Sequence, residues 1–279
     1  MPLVNGNILL SSIQEKRVLA GAFNTTNLET TISILDAIER SGLPNFIQIA
    51  PTNAKLSGYD YIYEIVKKRA ASMDVPVSLH LDHGKELDDV KQAVRAGFTS
   101  VMIDGAELPF EENIAFTKAA VDFCKSFGVP VEAELGAILG KEDDHVSEAD
   151  CKTDPKQVLR FVQETGCSML AVSVGNVHGL EDIPRIDIPL LKEIASICPV
   201  PLVIHGGSGI DEDIIRSFVK YNVVKVNIAS DLRKAFITSV GKAWTENNNE
   251  ANLARVMNRA KAAVEADVFS KIQMMNRAS

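Results

Sequence analysis

Short apolar runs rich in β-branched residues alternate along this chain with longer segments whose apolar positions recur every three or four residues. Eight such runs stand out: VLAGAF, FIQIA, VPVSLHL, SVMID, VPVEAEL, MLAVSV, VPLVIH and VVKVNI. Near-continuous hydrophobic runs of this length predict strands buried on both faces, as in a parallel sheet. The segments between them, such as YDYIYEIVKKRAASM, ELDDVKQAVRAG, NIAFTKAAVDFCKSFG and DPKQVLRFVQETG, carry an apolar stripe at helical spacing. Several end in the glycine that favours a helix C-terminus. Strand–helix alternation repeated eight times predicts an α/β fold of the (β/α)8 barrel type, with a doubly wound open sheet as the competing arrangement. No linker, low-complexity tract or charge block divides the chain, so residues 1–279 are expected to form a single (β/α)8 domain. The stretch 231–279, which includes NLARVMNRAKAAVEADVFSKI, is expected to be mainly helical and to pack on the barrel or on a neighbouring subunit.

Composition narrows the function. With 46% hydrophobic and 24% charged residues in 279, the chain can bury a large core. A net charge of -8 without any Lys/Arg run argues against nucleic acid as a partner. No stretch approaches the roughly 20 apolar residues that span a bilayer, and MPLVNGNILLSS lacks the basic start and apolar core of an export signal, so no membrane association is expected. Four scattered cysteines without a CxxC pair predict neither a disulfide framework nor a thiolate zinc site and fit a reducing cytoplasm. The expected partners are a small molecule and other copies of the chain.

In a (β/α)8 barrel the active site lies at the C-terminal ends of the strands, so polar residues following each apolar run are the candidates. They are Asn24 after the first run, Asp82 and His83 after the third, and Asp104 after the fourth. Glu132 and Glu134 lie in the fifth, Asn176 and His178 follow the sixth, His205 the seventh, and Asn227 with Ser230 the eighth. Of five histidines, His83, His178 and His205 thus sit at the ends of three different strands. Any one alone reads as a hydrogen-bonded loop histidine. Three converging imidazoles with an open fourth position make a catalytic zinc site. His80, two residues before Asp82 on the same strand face, is expected to support the site from the barrel interior, and His145 to be solvated. IHGGSGI followed by DEDIIRSFV is a glycine-rich turn entering a helix, which offers backbone N–H groups to a phosphate. Residues Asn227 to Ser230 would supply the other half of that site.

HLDHG, VEAELG followed by GKEDD, GNVHG, HGGSG and NIASDLR, in this order, resemble the class II, zinc-dependent ketose-bisphosphate aldolases over residues 1 to 247. The likeness is strongest to the tagatose-1,6-bisphosphate and fructose-1,6-bisphosphate aldolases of the short-chain subgroup. The resemblance implies that His83, His178 and His205 hold Zn2+ and that Asp82 is the acid/base acting on the C4 hydroxyl. By the same likeness Glu142, in the acidic loop, moves the C3 proton. It implies that Asn227 orients dihydroxyacetone phosphate, that Asn24 adjoins the substrate, and that Gly179, Gly206, Gly207, Ser208 and Ser230 bind its phosphate together with Na+ or K+. Asp104 and Glu134 resemble residues that support the metal or hold it alternatively, and Arg233 falls where related enzymes hold the distal phosphate. Ala229 resembles tagatose-type members, since fructose-type members often carry aspartate there. The expected reaction is reversible cleavage of a ketose 1,6-bisphosphate by a homodimer or homotetramer. Alternatives are a 6-deoxy-6-sulfo ketose 1-phosphate substrate, a non-catalytic aldolase-like partner subunit, and a Schiff-base aldolase using Lys225. The chain departs from the family at Leu139, where a glycine is usual, at LEDI after GNVHG, and at Ala50, where some relatives have a phosphate-contacting serine.

Overall fold

The computed structural model describes residues 2–142, 145–147, 151–180 and 183–277. Each of the eight apolar runs contains a strand: β1 (Ala20–Asn24), β2 (Asn45–Ile49), β3 (Val77–Gly84), β4 (Ser100–Ile103), β5 (Val131–Leu135), β6 (Met169–Val172), β7 (Leu202–Ile204) and β8 (Val223–Ile228). All neighbours are parallel, and β8 pairs with β1 from Ala20 opposite Lys225 to Phe23 opposite Ile228, which closes the sheet into a barrel. That pairing decides between the two arrangements the pattern allowed. An open sheet would leave β1 or β8 inside the order and another strand at its edge.

Two local differences from the sequence reading bear on the site. The third strand runs on to Gly84, so Asp82 and His83 lie within β3 rather than after it. The acidic stretch after β5 contains a two-stranded antiparallel hairpin, Gly140–Glu142 against His145–Ser147.

Side chains of each strand alternate between two cores. Outward residues such as Leu79, Leu81, Ile103 and Val172 pack against the surrounding helices. Inward residues of the lower barrel, Ala20, Ala22, Phe46, Met169, Ala171 and Val203, enclose Leu9, Leu10 and Ile13 of the helix Gly6–Lys16. This helix fills the N-terminal mouth with apolar side chains, leaving the upper interior to polar residues. Helices Ser230–Glu246 and Leu253–Asn276 follow β8. The second buries Ala260, Val264, Val268, Ile272 and Met275 along one stripe. Asn276 exchanges hydrogen bonds with the backbone of Leu19, 2.9 and 3.0 Å long, and Arg40 pairs with Glu265 at 2.7 Å. The C-terminal segment therefore packs on the barrel, across the entrance to β1. Among the described residues no helix is long and apolar enough to cross a membrane.

Candidate active site

His83 owes its position to an irregular strand end. The register between β3 and β4 shifts between Leu81 and Gly84, and His83 takes a left-handed φ of 44°. A non-glycine residue in that region costs on the order of 1–3 kcal/mol and persists where its surroundings fix it. Here the fixing groups are close by. His83 Nδ1 lies 2.7 Å from Asp104 Oδ2, and the Asp89 carboxylate accepts the N–H groups of Lys85 and Glu86 at 3.1 and 3.0 Å, capping the helix that starts directly after the bulge.

His205, just past β7, places Nε2 2.9 Å from Glu132 Oε1 and Nδ1 2.7 Å from His83 Nε2. His178 is carried by the loop after β6, which Asn176 pins. Its amide donates to His205 O at 3.1 Å while its Oδ1 accepts from Val174 N at 2.9 Å. The loops after β6 and β7 touch so closely that a Cβ on Gly206 would stand 1.9 Å from Val177 O. One nitrogen from each of His83, His178 and His205 lies within 4.8 Å of the others, and a second group, His83 with Asp104 and Glu134, meets the same limit.

The donor set fits zinc. Two of the three imidazoles have their second nitrogen engaged by a buried carboxylate, the arrangement that orients metal-binding histidines and fixes their tautomer. Tetrahedral ligands 2.0–2.1 Å from Zn2+ stand about 3.3 Å apart, so His83 and His205 need spread by only a fraction of an ångström. Burial opposes charge on Glu132, but the Lys225 ammonium at 2.9 Å and the ring of His205 hold its carboxyl well below the ordinary glutamate range. Burial likewise opposes charge on Asp104, and hydrogen bonds from His83 and Lys85 overcome it. Both carboxylates are therefore ionised acceptors for their histidines. His80 occupies the barrel interior, with Nδ1 2.8 Å from Ser100 Oγ. Burial and then the nearby Lys225 charge push its imidazole well below its usual range, so it stays neutral.

Asp82 is fully buried on the inner face of β3. Its Oδ2 accepts from Asn24 Nδ2 at 2.7 Å and its Oδ1 from Asn227 Nδ2 at 3.0 Å. Gln48 donates to Asn24 Oδ1 at 2.8 Å, and Lys225 Nζ to Asn227 Oδ1 at 2.7 Å. The histidine cluster and the aspartate thus belong to one connected network spanning β1, β2, β3, β5, β7 and β8, with His83 Nε2 3.9 Å from Asp82 Oδ1.

The glycine turn after β7 forms a short 3-10 helix, Gly207–Gly209, with Ser208 at its centre. Ser230 begins the helix after β8, preceded by Ala229. Gly179 follows His178 directly. Glu142 ends the hairpin strand whose first residue, Gly140, bridges to His178. Gly140 has φ 116°, and a Cβ there would stand 2.3 Å from His178 O, so only glycine allows the acidic loop to approach the histidine loop this closely. The Glu142 backbone therefore leaves from beside the third histidine. Its side chain, that of His145, and residues Asp143 and Asp144 lie outside what the structure describes.

A cavity of about 270 Å3 opens beside the cluster, lined by His83, His178, Asp104 and Glu134 and also by Lys55 and Lys85, the latter 2.6 Å from Asp104 Oδ2. Arg233 is not among the described residues lining it. Arg233 sits half-buried in the first turns of the helix after β8. Lys55, Lys85 and Gln48 were not singled out by sequence. Lys85 follows HLDHG immediately, and Gln48 occupies the inward phase of β2 two residues after Phe46, so each carried a readable positional signal.

The pattern describing the family "Fructose-bisphosphate aldolase class-II" matches residues 4–279. The chain belongs to this family. It is an aldolase, a carbon–carbon lyase of a family that acts on phosphorylated sugars. Among solved structures it is similar to the YdjI aldolase from Escherichia coli K12, with 30% identity over 98% of this chain and 97% of that one and a TM-score of 0.86. It also shares its fold with fructose-bisphosphate aldolase (Fba) from Campylobacter jejuni, at 21% identity over 98% and 95% of the two chains and a TM-score of 0.85.

Proposed function

We propose that this aldolase carries out reversible, zinc-dependent cleavage of a ketose 1,6-bisphosphate, giving dihydroxyacetone phosphate and glyceraldehyde 3-phosphate. Tagatose 1,6-bisphosphate is the favoured substrate and fructose 1,6-bisphosphate the next. The observation that carries the reading is the convergence of His83, His178 and His205 in one network with the buried Asp82 carboxylate, beside an open cavity. Ala229 supports the tagatose preference through its likeness to tagatose-type members.

A Zn2+ ion held by the three histidines would act as a Lewis acid, offsetting the negative charge that develops as the C3–C4 bond breaks. Asp82, steadied by Asn24 and Asn227, takes the proton of the C4 hydroxyl. The O–H electron pair becomes the new aldehyde π bond, and the C3–C4 pair passes into the enediolate of dihydroxyacetone phosphate. Glu142 returns a proton to C3. Asn227 orients the three-carbon fragment, while backbone N–H groups at Gly179, Gly206, Gly207, Ser208 and Ser230 receive its phosphate with a monovalent cation, Na+ or K+. In this reading Arg233 meets the distal phosphate. Lys85 is paired with Asp104 at 2.6 Å, and Lys55, which shares the cavity lining with Glu86, Asp88, Asp89 and Glu107, is the second candidate to meet a distal sulfonate or phosphate. The complete set of catalytic side chains supports an active enzyme over a non-catalytic partner subunit. Lys225 is fully buried with its ammonium committed to Glu132 and Asn227, which supports zinc chemistry over a Schiff base.

Exposed Ile237 and Trp244 on the helix Ser230–Glu246 support assembly as a homodimer or homotetramer, and the reading includes a cytoplasmic location. The test is a panel of ketose 1-phosphates and 1,6-bisphosphates assayed for triose release, with and without a chelator. Cleavage of tagatose 1,6-bisphosphate, lost on chelation and restored by Zn2+, is the expected result. Full activity without metal, or borohydride inactivation with substrate, would overturn it.

A further inference from the structure

The fold keeps a fully buried lysine beneath the histidine cluster, and the mechanism above gives it no task. Lys225 is 0% exposed on the inner face of β8. Its ammonium lies 2.9 Å from Glu132 Oε2 and 2.7 Å from Asn227 Oδ1, with the Phe46 ring centroid 5.9 Å away. Taking two charges out of water costs as much as their attraction returns, so such a pair is a poor source of stability and points to another role.

We infer that Lys225 is a positioning residue that orients both arms of the catalytic network: His205 through Glu132, and Asp82 through Asn227. On the first arm, Glu132 is gripped at Oε2 by Lys225, which turns Oε1 toward His205 Nε2 at 2.9 Å. That contact assigns the proton to Nε2 and leaves Nδ1 aimed at His83. On the second arm, an asparagine amide can be turned end for end with little change in shape, and its partners alone decide which end faces where. The Lys225 ammonium only donates, so it captures Oδ1 and obliges Nδ2 to face Asp82 Oδ1 at 3.0 Å. Without the ammonium Oδ1 loses its donor, the amide is held from the Asp82 side alone, and the donor it presents to Asp82 Oδ1 is no longer fixed from both ends. A single cation on β8 therefore couples the metal-ligand geometry to the orientation of the C4-hydroxyl base.

The inference rests on the zinc aldolase reading, and its test separates the two. Lys225→Met keeps the length and apolar stem but removes the charge, while Lys225→Met with Glu132→Gln removes both charges and so leaves no uncompensated buried ion. Three quantities are measured on each full-length variant: Zn2+ affinity by competition with a chelating dye, the visible spectrum of the Co2+-substituted protein, and kcat and KM separately. The expected result is a Zn2+ affinity lower by tenfold or more, an altered Co2+ spectrum, and a fall in kcat much larger than any change in KM, in both variants. If the single variant does not fold, the double variant is compared with Glu132→Gln alone, and identical Zn2+ affinity, Co2+ spectrum and kcat in those two would overturn the inference. A variant with altered thermal stability but wild-type Zn2+ affinity, Co2+ spectrum and kcat would show a purely structural lysine and overturn the inference alone. A wild-type chain that binds no Zn2+ and cleaves no ketose phosphate would overturn the functional reading and this inference with it.

Discussion

His83 Nε2 stands 2.7 Å from His205 Nδ1, although 122 residues separate them in the chain. Each ring is held from behind by a buried carboxylate, Asp104 for the first and Glu132 for the second. With both second nitrogens committed, the two facing nitrogens are directed at a common point that His178 also reaches. We predict one tightly bound zinc per chain, measurable by elemental analysis. Replacing His83, His178 or His205 by alanine should remove metal and activity together, while circular dichroism still reports a folded barrel, because the apolar layers on both sides of the strands supply its core.

The two carboxylates assigned to proton transfer should separate kinetically. Asp82→Ala should suppress carbon–carbon cleavage, and Glu142→Ala should chiefly slow exchange of the C3 proton of dihydroxyacetone phosphate, each by roughly 10²-fold or more. Cleavage is followed by triose release and exchange by loss of deuterium. Small, equal effects in both assays would sink the assignment.

The distal anion offers two competing anchors. Arg233→Ala should lower kcat/KM for a 1,6-bisphosphate by about 2–3 kcal/mol, the scale of a charge-assisted hydrogen bond, without altering proton exchange in dihydroxyacetone phosphate, which lacks the distal group. Lys55→Ala provides the comparison, since Lys55 lines the cavity. If its loss exceeds that of Arg233→Ala, the cavity lysine holds the distal group.

Gly140→Ala tests whether the acidic loop and the histidine loop must touch. The added Cβ would meet His178 O at 2.3 Å on a backbone with φ 116°, so one loop has to move. Activity should fall by at least tenfold. Because the loop is peripheral to the core, stability should drop by only about 1–2 kcal/mol, the scale of forcing alanine into a left-handed position. Unchanged activity would mean that Glu142 is carried to the substrate independently of this contact.

The sequence by itself determined the eight barrel strands and most of the polar residues at their ends, and narrowed the fold to a barrel or a doubly wound sheet, which the β8–β1 pairing then decided. These depend on local periodicity, which the chain carries wherever a strand is buried on both faces. It also marked the three histidines, because each lies at or within four residues of the end of an apolar run. What only the tertiary structure decided is how those residues use one another. Closure of β8 on β1 put Lys225 and Asn227 opposite Asp82 and Glu132, contacts between residues 93 or more positions apart that no local pattern encodes. The left-handed turn at His83 was equally illegible, since positive φ is uncommon outside glycine and the bulge against β4, the Asp104 contact and the cap at Asp89 hold it there. The cavity lysines are illegible for a related reason. A lysine on a helix or loop reads as a solvated charge until neighbouring loops are folded over it.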